Sequence, residues 1–140
     1  MRQAPVVAVL LVVIAGAAHA GDNPRAAALV DFGDAAAWHV AASDDVTASL
    51  RGIDGDHGKA LCLDYDLHGT AGYASMRRAL PITFPPNYAF DLRMRGTGPA
   101  NTLQFKLIDA GGDNVWWHTW PDFTMPKTWT TRRIAKDDIA

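Results

Sequence analysis

The chain has 140 residues, 49% of them hydrophobic and 20% charged, with a formal net charge of −2 at pH 7. That length is one domain's worth, and no basic stretch is long enough to follow a phosphate backbone, which excludes nucleic acid as a partner. All 15 acidic residues are Asp, alongside 12 Gly and 8 Pro, a composition suited to caps and turns rather than helix interiors and therefore to strands joined by turns.

Residues 1–20 read as a secretory signal peptide. Arg2 supplies a positive start, residues 5–18 are almost purely apolar, and Ala18-His19-Ala20 is a small-x-small cleavage site. The apolar run is too short to span a bilayer. The mature chain is then expected to begin near Gly21, to be secreted or periplasmic, and to carry no membrane span. Residues 21–140 form its one module. A single cysteine, Cys62, leaves no internal disulfide, and its mid-strand position reads as an inert, half-buried side chain rather than a nucleophile.

Strand signals then follow in succession. "ALVDF" (28–32) is a short apolar start. "VTASLR" (46–51) alternates, with Val46, Ala48 and Leu50 on one face, and "DGDHG" (54–58) is a turn. "ALCLDYDLHG" (60–69) sets Leu61, Leu63, Tyr65 and Leu67 against Cys62, Asp64 and Asp66. "GYASMRRAL" (72–80) is a weaker strand. "YAFDLRMRG" (88–96) places Tyr88, Phe90, Leu92 and Met94 inward, and "TLQFKLID" (102–109) does the same for Leu103, Phe105 and Leu107. "GGDN" (111–114) closes a hairpin onto "VWWHTW", and "WTTRRIA" (129–135) is the last strand. About eight short strands with regular turn signals predict an all-β antiparallel sandwich. "IAKDDIA" ends without a closing turn, so the chain reads as the front part of a longer protein, its sandwich incomplete at the C-terminus.

Candidate sites fall into three groups. Asp64 and Asp66 share a strand face, as the paired carboxyls of a glycosidase active site would, but Arg93, Arg95 and Lys106 are their expected neighbours across the sheet and would keep both ionised. The same charged face can hydrogen-bond sugar hydroxyls. Asp31, Asp34, Asp54, Asp56 and Asp138 lie at strand ends or in turns, where they either gather around a calcium ion or cap the turns. His39, His57, His68 and His118 show no metal-ligand spacing. "NVWWHTWPDF" (114–123) holds three of the 5 tryptophans. Alternation separates Trp116, His118 and Trp120 from Val115, Trp117 and Thr119. Trp117 is the core candidate of this strand, with Trp38 and Trp129 also inward, and Trp116 and Trp120 form the exposed pair onto which sugar rings could stack.

The order "LVDFGDAAAWHV", "GKALCLDYDLHG", "GYASMRRALPI", "YAFDLRMRG", "NTLQFKLIDAGGDNVWW", "TWTTRRIAKDDIA" resembles galactose-binding-like jelly-roll modules. It is most similar to the carbohydrate-binding modules at the front of secreted bacterial proteins that carry a discoidin (coagulation factor 5/8 type) or glycosidase domain. The complex I intermediate-associated assembly domains share the layout. The resemblance implies a jelly roll that binds polysaccharide without cleaving it and needs no cofactor for chemistry. It also implies a structural calcium near the first strand, with Asp31, carbonyls of the 54–58 turn and Asp138 as ligands. A C-terminal discoidin or glycosidase domain would be the neighbour in a longer gene product. The expected ligand-binding residues are Trp116, His118 and Trp120, with Arg93, Arg95, Asp64, Asp66 and Lys106 as polar partners. Two alternatives stand beside this reading: a docking module for an adjacent domain or partner protein, and a small glycosidase or lyase built on Asp64 or Asp66.

Overall fold

A computed structural model describes residues 7–9, 32–80 and 82–140. The signal-peptide reading of residues 1–20 lies outside the described residues except at Val7–Val9. Residues 28–31 of the expected first strand, including the calcium candidate Asp31, also lie outside them, and Phe32 stands in a turn. The described strands are β1 (Val7–Val9), β2 (His39–Ala42), β3 (Thr47–Gly55), β4 (Gly58–Asp66), β5 (Ala74–Arg77), β6 (Ala89–Met94), β7 (Asn101–Ile108), β8 (Val115–Phe123) and β9 (Thr130–Ala135). Two short 3-10 turns, Ala35–Ala37 and Lys136–Asp138, are the described helical elements.

Strands β2 and β5, β3 and β4, β6 and β9, and β7 and β8 pair antiparallel, and β1 runs parallel along the other edge of β7. The result is an all-β sandwich of small sheets that do not close on themselves. Two-residue alternation in the sequence carries most of it. Phe90, Leu92 and Met94 of β6 and Leu103, Phe105 and Leu107 of β7 are all buried, because each strand turns every second side chain to one face. The β6–β9 and β1–β7–β8 sheets meet through Phe90 and Phe105, whose ring centroids are 5.0 Å apart. Phe105 is 1% exposed and Ile134, from β9, is fully buried. Met76 from β5 and Trp38 complete the core, with Leu50, Leu61 and Leu63 packed against it from the β3–β4 hairpin. Trp38 is inward as expected and stacks on Phe32 at 5.5 Å.

The sequence contains no alternation to announce β2, whose Val40-Ala41-Ala42 is uniformly small and apolar. Pairing makes it a strand: Val40 lies opposite Met76 and Ala41 opposite Ser75. The chain leaves β2 through Ser43, whose N–H donates to the Tyr73 carbonyl at 3.0 Å and whose Oγ accepts from the Tyr73 N–H at 2.9 Å. Gly72 sits against this clamp. A Cβ on it would collide with Ser43 Oγ and come within 2.7 Å of a Val46 methyl. Replacing Gly72 by Ala is therefore expected to lower stability by about 1–3 kcal/mol, as overpacking does. Urea unfolding of the variant measures it, and an unchanged midpoint would show that the clamp yields freely.

Candidate functional site

The β7–β8 hairpin sets the geometry that matters most. Its turn is closed by Asp109, whose carboxylate accepts from the Asp113 N–H at 2.9 Å, the Asn114 N–H at 3.3 Å and Asn114 Nδ2 at 2.6 Å. Register then follows from the turn: Ile108 lies opposite Val115, Leu107 opposite Trp116, Lys106 opposite Trp117, Phe105 opposite His118, Gln104 opposite Thr119 and Leu103 opposite Trp120. Residues directly opposite in an antiparallel pair point to the same face. Trp116, His118 and Trp120 therefore share the face of Leu107, Phe105 and Leu103, which is the core face.

That overturns the expectation for Trp117 and Trp120, while Trp116 is exposed as expected. The separation by alternation stands, but the faces are reversed. Trp120 packs against the core and meets the His118 ring edge-on at 4.5 Å and Phe123 at 5.8 Å. Trp117, expected in the core, is on the outer face and 46% exposed. Trp116 lies on the face of Leu107, yet it is 43% exposed. His118 is held by the chain itself. A carbonyl can only accept, so Nδ1 carries the proton that it donates to the Asp138 carbonyl at 2.9 Å.

On the outer face, Trp117 has specific neighbours. Its N–H donates to the Ala140 carbonyl at 3.0 Å and its carbonyl accepts from the Ala140 N–H at 3.2 Å. Both backbone groups thus turn away from β7, which makes Lys106–Trp117 a non-hydrogen-bonded pair with closely spaced side chains. The Lys106 ammonium stands 5.9 Å from the indole centroid, within cation–π reach. On one side of this pair Gln104 Nε2 donates to Thr119 Oγ1 at 3.3 Å, and on the other lie Ile108 and Val115. An exposed indole, a cation and an amide–hydroxyl pair thus stand in one row along two paired strands.

The remaining expected site residues are elsewhere. Arg93 pairs with Asp56 at the tip of the β3–β4 hairpin, its Nε 2.9 and 3.0 Å from the two carboxylate oxygens, and its Nη1 donates to Thr131 Oγ1 at 3.1 Å. The Arg95 guanidinium lies 5.2 Å from the centroid of Trp129, which is half-buried rather than in the core. Asp64 does not meet Arg93 or Lys106. Its partner is Arg51, from the neighbouring strand β3, at 2.7 Å. Asp66 accepts from the His68 N–H at 2.7 Å. Asp64 and Asp66 both line a shallow depression with Thr47, Ala48, Ser49 and Tyr65. Of the charged candidates, only Lys106 shares a face with an exposed tryptophan.

Electrostatics on the β3–β4 hairpin follow from these pairs. The Arg51 hydrogen bond holds the Asp64 carboxyl below its ordinary value, so Asp64 is a poor proton donor. Arg93 does the same to Asp56 and Lys59 to Asp54, and the Asn114 amide lowers Asp109. Burial, followed by the charge of Asp64, pushes the Cys62 thiol up, which leaves it protonated and unreactive at neutral pH. Since the four Asp pKa values are lower folded than unfolded, their contribution to stability is complete above the ordinary carboxylate range and is lost as pH falls through the depressed values. A plot of denaturation midpoint against pH should be flat from pH 7 to about 5 and then fall. The Asp56→Asn variant should show a shallower fall, and an identical slope would mean that the Arg93 pair is not formed in solution.

Of the calcium candidates, Asp34 caps the 3-10 turn by accepting from the Ala36 N–H at 3.1 Å, and the Asp138 carboxylate accepts from the Ala135 N–H at 2.8 Å. Asp54 and Asp56 are the ion-paired groups above. Among the described residues no group of three or more His, Cys or Asp side chains is placed to hold a metal ion, and no described helix is long and apolar enough to cross a membrane.

The class that fold and site define is an all-β sandwich presenting an aromatic and cationic strip on one hairpin. Comparison with protein-family models, with curated proteins and with solved structures finds no match for this chain.

Proposed function

We propose that this chain is a noncatalytic glycan-binding module of the galactose-binding-like jelly-roll type, exported by its N-terminal leader. One observation carries the reading: Trp117 is 46% exposed on the flat outer face of a hairpin, with Lys106 and the Gln104–Thr119 pair beside it. Large indoles left bare on a rigid sheet mark interaction sites. A pyranose can lay its C–H face on the indole while Gln104, Thr119 and Lys106 supply hydrogen bonds to its hydroxyls. Trp116 lies on the opposite face of the strand and is not part of this surface. The polar residues of the β3–β4 hairpin are committed to one another and are secondary in this reading.

A second reading has its own support. The two backbone bonds between Ala140 and Trp117 mark the outer edge of β8 as an edge that accepts a strand, as a docking module would use it. Affinity electrophoresis through a panel of neutral and acidic polysaccharides separates the readings. Glycan binding predicts retardation by at least one polymer with no release of reducing ends. Release of reducing ends would instead make the chain a hydrolase or lyase. Free migration through every polymer would remove the glycan reading and leave docking.

A further inference from the structure

We infer that the sugar bound on the Trp117 face carries an acidic group, which Lys106 receives; this inference rests on the glycan-binding reading. Arg51 is paired with Asp64, Lys59 with Asp54, Arg93 with Asp56 and Arg133 with Asp91. Lys106, like Arg95 and Arg132, has no carboxylate partner among the described residues and stands over an aromatic ring instead; of the three rings, only Trp117 is exposed. Asp109, at the end of the same strand, accepts three hydrogen bonds from residues 113 and 114 and is committed to the turn. A cation held over an exposed indole and left unneutralised by the chain is complementary to a ligand that is both flat and anionic.

The spacing fits one ring. Successive side chains on one face of a strand are about 7 Å apart, so the row Gln104–Thr119, Lys106–Trp117, Ile108–Val115 spans a sugar unit and its substituents. Once the Lys106 side chain swings off the ring it now covers, a pyranose stacked on Trp117 brings a ring substituent to the ammonium and a hydroxyl to the Gln104–Thr119 pair. An ammonium is a point charge that takes a carboxylate or a sulfate ester equally. The shared chemistry is thus a sugar bearing one negative group, and the two sources must be told apart by experiment.

The test is affinity electrophoresis of the whole chain in gels containing polygalacturonate, its fully methyl-esterified form, dextran sulfate or dextran. Wild type is expected to bind at least one acidic polymer about five-fold more tightly than its uncharged counterpart, the size of an exposed charge pair. The preference should weaken with added salt. It should vanish in Lys106→Gln and survive in Lys106→Arg and in the distant Lys127→Gln. Preference for polygalacturonate over its ester assigns a uronate, and preference for dextran sulfate over dextran assigns a sulfate ester. Equal binding to charged and uncharged forms, or a preference unchanged in Lys106→Gln, overturns the inference while glycan binding stands. Retention by none of the four polymers overturns the inference, and with the broader panel it tells against glycan binding itself. Thermal unfolding of Lys106→Gln, expected to match wild type, keeps a folding defect from passing as a binding loss.

Discussion

Replacing Phe105 by Ala lowers the free energy of unfolding by about 3–5 kcal/mol. Phe105 is 1% exposed and contacts Phe90 of β6 at 5.0 Å, so the substitution removes transfer free energy and opens a cavity in the core cluster shared by the small sheets. A domain's whole stability is about 5–15 kcal/mol, and this chain has no disulfide to share the load. The variant should unfold at a markedly lower denaturant midpoint. A loss under about 1 kcal/mol would mean that the layers are held apart from this ring.

Trp117→Ala and Trp120→Ala should separate binding from stability. Truncating Trp117 removes an exposed indole and one cation–π contact, so stability should move by no more than about 0.5–1 kcal/mol, while glycan retention should fall more than about ten-fold, as loss of an aromatic anchor does. Trp120 packs on the core between His118 and Phe123. Its truncation should cost about 2 kcal/mol or more and leave retention unchanged wherever the variant is folded. Retention measured beside denaturant midpoints reads both. If Trp120→Ala loses the glycan and Trp117→Ala keeps it, the binding face is the other one.

The strands were legible because their alternation is strong. Phe90, Leu92 and Met94, and Leu103, Phe105 and Leu107, point inward as their spacing requires. Strand β2 was not, since its small residues become a strand only through β5. For the site, alternation alone grouped Trp116 with Trp120 and set Trp117 apart, but it does not say which group faces water. The partner strand does. Counting back from the 109–114 turn places Trp117 opposite Lys106 and Trp120 opposite Leu103, and a lysine marks the wet face as surely as a leucine marks the dry one. That register was present in the sequence as a turn signal flanked by two strands. Pairs that join separate hairpins, such as Arg93 with Asp56, depend on how the sheets stack, which no local pattern encodes. The Asp64–Arg51 pair is a neighbour-strand contact that the 54–58 turn implied.

The central claim, that ligand is bound on the Trp117 face, is tested most directly by nitrogen-15 NMR of the indole N–H groups, one signal from each of the 5 tryptophans. Titration with oligosaccharides of a polymer that retains the chain should shift the Trp117 signal strongly and leave the core residue Trp38 unmoved. A shift confined to Trp129, beside Arg95 and away from this hairpin, would contradict it.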